Sequence, residues 1–463
     1  MSRSIIILLV LCLFSQKAKS QSIGQVAKFV DAAERDERDE LGRSVTISGD
    51  WAAAGAWFDF DDGVGGSVSY AGSVLIFKRA SDGTWAQAQK IVAGDRSTNG
   101  GFGFSVSMDG GLLVIGATDE DFDNGIEIID SGAAYIFELD EVNGTWTEVQ
   151  KIGPSDAQDG DQFGYSVSID GNHIIVGAPF ENHDAEGNNS LDRAGSAYIF
   201  EYDASSNNWM EANKIVASDR DSDDRFGHSV AISGDLALSG AWGFDSSTGV
   251  LTDSGAAFAF KKNPTTGEWV EIQLITPNLE GTRAEFGYSL SMDGTTGLIG
   301  AYSERRDASG GNSLTGAGAA YIFNFDAANG LWSEDQKLTP TDREANDRFG
   351  ISVDLSDGTA VVGATLQDYD ADGNNFLNGA GSAYFFERSS SVWSEINKLV
   401  TNDRSEIDLV GTAVAIDGQK VVLGVQNEDE DVAGMNTLDR AGSVYIFEPT
   451  NFSPIVVNPV GDQ

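Results

Sequence analysis

Cysteine is nearly absent from this chain of 463 residues, since the only one, Cys12, lies in an apolar run near the N-terminus. A single cysteine forms no internal disulfide, and because this one lies in a segment that we expect to be removed, the mature chain should have no cysteine-ligated metal site. Histidine is scarce too, and His173, His183 and His228 show no spacing typical of a catalytic triad or a two-histidine metal site. The sequence therefore argues against a disulfide scaffold, a zinc module and an enzyme.

Basic residues are also few. Lys and Arg number 29 against 72 Asp and Glu, so the formal net charge is −43. A surface of this charge repels phosphate backbones and anionic lipids and attracts cations. Nucleic acid is therefore not expected as a partner.

Long apolar runs are missing as well. The run from Ile5 to Phe14 is much shorter than the roughly 20 residues of a membrane-spanning helix. It follows Arg3 and precedes Ala18-Lys19-Ser20, a small-residue cleavage pattern. We expect residues 1–20 to be a secretory signal peptide, and the mature protein to be secreted or held at the cell surface without membrane insertion.

The dominant feature of the chain is one unit that occurs seven times. Phrases such as FGYSVSIDGNHIIVGAP recur every 60 to 63 residues, with their second-position glycines at Gly42, Gly103, Gly164, Gly227, Gly287, Gly350 and Gly411. A second phrase such as AGSAYIF ends at Phe77, Phe137, Phe200, Phe260, Phe323, Phe386 and Phe447. Six units add a short alternating run after a tryptophan, at Trp85, Trp146, Trp209, Trp269, Trp332 and Trp393.

Each unit predicts four short β-strands. SVSI alternates polar and apolar residues, IIVGA is a short apolar run, and the pair Asp170-Gly171 between them favours a two-residue hairpin turn. The phenylalanine and tryptophan phrases supply the third and fourth strands. Seven such units without a helical period predict an all-β fold, a seven-bladed β-propeller.

The two ends of the repeat array predict how the ring closes. Unit seven stops after Phe447 without a tryptophan strand, and near the N-terminus Lys28-Phe29 stand as Lys214-Ile215 stand before unit four. We therefore expect a propeller over residues 22–450 in which the N-terminal strand completes the last blade. We also expect a monomeric ring and a short tail over residues 451–463. A solenoid is the alternative, but its repeats are usually shorter and its ends require caps.

The repeated phrases resemble the FG-GAP repeat family, whose two defining motifs stand here as Phe163-Gly164 and Gly177-Ala178-Pro179. The resemblance covers nearly the whole mature chain, although only unit three spells Gly-Ala-Pro in full. It implies the propeller of integrin α subunits. It also implies an extracellular adhesion or interaction module that binds ligands through the loops of one face.

Acidic loops follow the Gly-Ala phrase, and unit six reads DYDADGNN. Alternating carboxylates before a glycine are typical of loops that fold around Ca²⁺. The candidate ligands in units six, three and seven are Asp368, Asp370, Asp372, Asn375, Asn182, Asp184, Glu186, Asp429 and Asp431. An EF-hand would need a glutamate where Gly379 stands, and the calcium loop of integrins, which ends with an aspartate, lies between the FG and GAP phrases. The sequence leaves bound Ca²⁺ and a solvated acidic loop as open alternatives.

Linker pairs such as Asp342-Arg343 suggest an aspartate that caps a turn and an arginine that bridges neighbouring blades. For function, a module that binds an extracellular protein comes first. The alternative is glycan binding, which fungal lectins resembling the family imply, with stacking candidates Trp57, Trp242, Tyr302 and Tyr369. An extracellular hydrolase comes third, because carboxylates are too abundant here to indicate catalysis.

Overall fold

The computed structural model describes residues 23–31, 35–122, 128–246, 250–435 and 437–449. Within these residues all regular secondary structure is β. The predicted signal peptide, residues 1–20, and the predicted tail, residues 451–463, lie outside the described residues. In the described part, no helix is long and apolar enough to cross a membrane.

Twenty-eight strands occur in the described residues. In chain order they are β1 Ile23–Phe29, β2 Ser44–Ser48, β3 Trp51–Ala56, β4 Ser73–Arg79, β5 Trp85–Ile91, β6 Phe102–Asp109, β7 Leu112–Ala117, β8 Ala133–Asp140, β9 Thr145–Ile152, β10 Ser166–Asp170, β11 His173–Ala178, β12 Ser196–Asp203, β13 Asn208–Ile215, β14 Ser229–Ser233, β15 Leu236–Ala241, β16 Ala256–Lys262, β17 Trp269–Ile275, β18 Leu290–Asp293, β19 Thr296–Ala301, β20 Ala319–Asp326, β21 Leu331–Leu338, β22 Phe349–Ser356, β23 Thr359–Ala364, β24 Ser382–Ser389, β25 Val392–Leu399, β26 Ala413–Asp417, β27 Lys420–Val425 and β28 Ser443–Pro449.

These strands form seven antiparallel sheets of four strands within the described chain. Blades 1 to 6 are the consecutive sets β2–β5, β6–β9, β10–β13, β14–β17, β18–β21 and β22–β25, and blade 7 contains β26, β27, β28 and β1. The predicted seven-bladed propeller and its closure by the N-terminal strand are confirmed. The predicted register also holds, because Lys28 pairs with Tyr445 as Lys214 pairs with Tyr198.

Aromatic side chains fill the space between successive blades. In blade 3, the buried Phe163 ring lies 5.5 Å from Tyr198 and 5.9 Å from Phe200, and blades 2, 5 and 6 repeat this cluster. Trp209 is buried on the same sheet. Edge-to-face rings of this kind add to the hydrophobic stabilisation that their burial supplies. The repeated aromatics therefore have the structural role that the sequence predicted.

Hydrogen bonds join neighbouring blades at both the axis and the rim. On the axis, the Ser166 hydroxyl donates to the Gly227 carbonyl at 2.9 Å, and the equivalent serines of blades 1, 2, 4, 5 and 6 do the same. At the rim, the Gln150 side chain exchanges two bonds with the backbone of Trp209. Such bonds cover strand edges that would otherwise be open to pairing.

A buried lysine clamp holds the outer strand of most blades. In blade 7 the Lys28 ammonium lies 2.7 Å from Asp403 and 3.4 Å from Glu428, and the Tyr445 hydroxyl oxygen lies within hydrogen-bond distance of both carboxylates. Blade 3 repeats this with Lys214, Asp156, Glu181 and Tyr198. Blade 4 instead has Leu274, Phe258 and Phe244 in the places of the lysine, tyrosine and glutamate. Blade 4 therefore has an apolar cluster at the place where blades 3 and 7 have charged groups.

Candidate functional site

The connections between strands divide the propeller into two faces. The hairpins within strand pairs lie on one face, and the other face has the loops from the second to the third strand of each blade and the linkers between blades. We call this second face the loop face. The predicted acidic loops and the start of every innermost strand lie on it.

The acidic loop of blade 6 is closed by its own aspartate. Asp370 Oδ1 accepts the backbone N–H groups of Asp372 at 3.1 Å and Asn374 at 2.9 Å, and its Oδ2 accepts the Asn375 side chain. These bonds lower the pKa of Asp370, chiefly through the N–H group of Asn374. Asp368 accepts the N–H of Gly379 at 2.8 Å, which fixes the end of the loop.

The same arrangement recurs in the other long loops. In blade 3, Asp184 accepts the N–H groups of Glu186 and Asn188, and Asn182 accepts that of Arg193. In blade 7, Asp431 accepts the N–H groups of Ala433 and Met435. Asp429 there accepts the N–H of Arg440. The alternate spacing of these residues is thus expected for a hydrogen-bonded turn as well as for a metal-binding loop.

The arrangement of the loop carboxylates does not by itself indicate a Ca²⁺ site. Calcium takes six to eight oxygens that converge on one point, whereas the carboxylates of Asp368 and Asp370 face N–H donors. Among the described residues, no group of three or more Asp, Glu, His or Cys side chains is placed to hold a metal ion. Calcium binding stays a prediction from the sequence, and the geometry favours a structural role for the central aspartate.

Asp370→Ala should lower the melting temperature with or without Ca²⁺, because it removes the acceptor that closes the loop. Asp372→Ala is the matched control. It removes the same charge from an exposed side chain, while the bond of Asp372 within the loop is made by its backbone N–H, so we expect little change. Calorimetry in EDTA and in millimolar Ca²⁺ checks both variants. A Ca²⁺-dependent stabilisation of the native protein that Asp372→Ala abolishes would support the calcium site.

Linker arginines bind loop carbonyls in blades 1, 3, 5, 6 and 7. Arg404 donates to the carbonyls of Asp368 and Asn375, and Arg220 makes the same pair of bonds in blade 3. The predicted bridging role of the arginine is confirmed. The linker aspartate was predicted to cap a turn. Instead it belongs to the lysine clamp, because Asp403 accepts hydrogen bonds from Lys28 and Tyr445. The Asp-Arg pair therefore connects a loop to the blade that follows it.

The innermost strands surround a channel along the propeller axis. At its loop-face end is a pit of about 430 Å³, which we call the axial mouth. Its rim has one residue from each blade, directly after the FG-position glycine: Arg43, Phe104, Tyr165, His228, Tyr288, Ile351 and Thr412. Burial lowers the pKa of His228 to about 3, so its ring is neutral at physiological pH.

An arc of aromatic rings crosses the loop face through the axial mouth. Neighbouring ring centroids lie between 3.6 Å and 6.4 Å apart in a continuous series. This aromatic arc consists of Trp57, Phe58, Phe104, Tyr165, Phe180, His228, Trp242, Tyr288 and Tyr302. All except Phe104 are partly exposed to solvent. Pits of about 490 Å³ beside Trp57 and about 540 Å³ beside Tyr302 lie at its two ends.

Comparison with known protein families identifies the same repeat. The FG-GAP repeat matches six segments, residues 85–137, 146–200, 209–260, 269–323, 332–386 and 393–447. Together these segments make up more than half of the chain. The chain belongs to the FG-GAP repeat family. A search of curated proteins gave no significant match.

The fold explains both halves of the FG-GAP signature. Each matched segment begins near the fourth strand of one blade and ends in the third strand of the next. A Cβ on Gly177 of the GAP phrase would lie 1.9 Å from the carbonyl oxygen of Gly227, in the FG phrase of the following blade. The two phrases therefore meet at the contact between blades, where only glycine fits.

In this FG-GAP propeller the three histidines lie in separate surroundings. His173 lies near Lys262 and Glu201, His183 contacts Glu181, and His228 belongs to the axial mouth. The sequence prediction missed the axial mouth as a site. The available signal was the position after the FG glycine, which differs from blade to blade although Gly precedes it in all seven units and Ser follows it in six.

Proposed function

We propose that the protein is an exported, non-catalytic module that binds a partner protein through the loop face. The aromatic arc is the observation that carries this proposal. Protein interfaces are enriched in Trp, Tyr, Phe and Arg, and their strongest contacts cluster in such residues. FG-GAP propellers are typically non-catalytic and commonly extracellular, which supports both parts of the proposal.

Arginines add to the suitability of this surface. The Arg225 guanidinium lies 5.0 Å from the centre of the Trp242 ring, Arg348 lies 5.9 Å from that of Tyr302, and Arg43 lies 4.1 Å from that of Phe104. Cations over aromatic faces gain an electrostatic attraction and keep the ring edges available to a partner. The arc is therefore an array of rigid anchors rather than a simple apolar patch.

Glycan binding is the weaker alternative on this geometry. Lectin stacking needs an open aromatic face, but Trp57 is stacked on Phe58, Trp242 lies under Arg225, and Tyr369 packs against Phe376. A glycan array remains the direct test of this alternative.

Photocrosslinking tests the proposed face. We expect p-benzoylphenylalanine at Phe58, in the aromatic arc, to form a defined adduct with one protein from the source organism's culture fluid. The same probe at Val142, which is 93% exposed on the hairpin face, should form none. Adducts at both positions, or at Val142 alone, would overturn the loop face as the binding surface. Unlabelled protein in excess should abolish the adduct, and the Trp242→Ser variant should compete less well.

A further inference from the structure

The axial mouth contains an arginine with an unusual environment. The Arg43 guanidinium lies over the Phe104 ring at 4.1 Å and lines the pit. It has no ion-pair partner among the described residues, although the chain has 72 acidic residues. On other parts of the loop face arginines are paired, as Arg193 is with Asp223 at 2.8 Å and Arg283 with Asp253 at 3.8 Å. An arginine without an ion pair in so acidic a protein is a candidate site for an anion.

Two more arginines increase the positive potential there. Arg225 and Arg348 also lack an ion pair within the described chain, and both lie against rings of the aromatic arc. The charges of Arg43 and Arg225 help to lower the pKa of His228, and those of Arg43 and Arg348 oppose the rise in the pKa of Tyr288. All three charges therefore act on side chains that line the pit. A positive pit surrounded by acidic loops focuses the field onto the axis.

The remaining walls of the pit limit what can fill it. The hydroxyls of Ser105, Ser166 and Ser229 at its base already donate to glycine carbonyls of the next blade. A sugar ring would need several free hydrogen-bond donors for its hydroxyl groups. A side-chain carboxylate needs only the arginine as a donor, and its methylene groups can pack against apolar walls. A metal cation would be repelled by Arg43.

We propose that the axial mouth binds the carboxylate of an aspartate or glutamate side chain that projects from the partner protein. This inference rests on the proposed function and names the anchor of that interaction. The carboxylate would accept charge-assisted hydrogen bonds from Arg43 while its carbon chain packs against Phe104 and Tyr288. The acidic loops around the mouth would select partners whose surface is neutral or basic apart from this one acidic residue.

Fluorine NMR of the full mature chain labelled with 5-fluorotryptophan tests the site directly. The probes are N-acetyl-aspartate N-methylamide, the matching asparagine derivative and galacturonic acid. The Trp57 and Trp242 signals, assigned with Trp→Phe variants, report on the mouth. We expect saturable shifts with the aspartate probe, about tenfold weaker binding in Arg43→Gln, intermediate binding in Arg43→Lys, and no change in Arg283→Gln.

Three results would overturn the proposal. They are equal binding of the aspartate and asparagine probes, unchanged affinity in a folded Arg43→Gln protein, and tighter binding of galacturonic acid, which would indicate an acidic glycan. Circular dichroism and melting curves establish that each variant is folded. The proposed function is tested separately, because a Phe58 adduct with unchanged Arg43→Gln affinity retains the interaction module and rejects only this anchor.

Discussion

Replacing Lys28 with leucine is expected to lower the free energy of unfolding by about 3–5 kcal/mol, the usual cost of removing one partner from a buried ion pair. Glu428 is completely buried and Lys28 is 5% exposed. Without the ammonium group, the Glu428 carboxylate would remain in the interior, where Tyr445 and the backbone N–H of Glu430 are the donors seen among the described residues. Because Lys28 belongs to the strand that closes the ring, the variant should also expose β28 as an open edge.

Blade 4 supplies a control for this prediction. There the lysine, tyrosine and glutamate are replaced together by Leu274, Phe258 and Phe244, which pack as an apolar cluster. The triple variant Lys28→Leu, Tyr445→Phe, Glu428→Phe should therefore regain most of the stability that Lys28→Leu loses. Exchanging a buried ionic group for a well-packed apolar one is often neutral.

Urea unfolding followed by tryptophan fluorescence measures all three free energies, and hydrogen exchange of β1 and β28 shows whether the closing strand detaches. A triple variant that is no more stable than Lys28→Leu would show that the clamp cannot be replaced as a unit. A Lys28→Leu protein as stable as the native one would show that the buried carboxylate finds another donor or takes up a proton.

The propeller was predictable from the sequence because its signal is repeated. Strand alternation, Asp-Gly turns and a fixed spacing of 60 to 63 residues each occur several times, so local ambiguity in one unit is resolved by the others. The closing strand was found in the same way, since Lys28-Phe29 could be aligned with Lys214-Ile215. A fold held together by equivalent contacts leaves the same residues at every equivalent place.

The candidate site was harder to predict for the opposite reason. The axial mouth brings together single residues from different blades, such as Arg43, Tyr165 and His228, which differ in type and are separated by one or more whole repeats. Only ring closure makes them neighbours. The acidic loops, by contrast, have a conspicuous sequence pattern, yet the bonds of Asp184 and Asp370 show that a hydrogen-bonded turn uses the same spacing as a metal-binding loop.

Lowering the pH from 8.5 to 5.5 is expected to stabilise the protein by several kcal/mol. Five buried aspartates stand two residues before the FG position of their units, and each accepts the backbone N–H group three residues earlier: Asp39, Asp161, Asp224, Asp347 and Asp408. Burial raises their pKa, to about 8 for Asp39, about 7 for Asp161, Asp224 and Asp408, and about 6 for Asp347.

The sign of the effect follows from proton uptake. An unfolded aspartate has a pKa near 4, so between about pH 4 and 8 the folded protein holds protons that the unfolded chain releases. Stability therefore rises as the pH falls through the folded pKa values, and it is lowest above pH 8. At still lower pH the trend reverses. Loop aspartates such as Asp307, whose pKa hydrogen bonds lower to about 2, then lose their bonds on protonation.

Urea unfolding at both pH values in 0.5 M NaCl separates this effect from the general repulsion of 43 excess negative charges, because salt screens exposed charges much more than buried ones. Asp39→Asn should reduce the pH dependence, since a neutral amide needs no proton in the interior. Asp372→Asn removes the same charge at an exposed site and should leave the pH dependence unchanged. Burial beside other carboxylates disfavours the charged form of the linker aspartates. Equal stability at pH 5.5 and 8.5 would contradict this and mean that they are ionised in the folded protein.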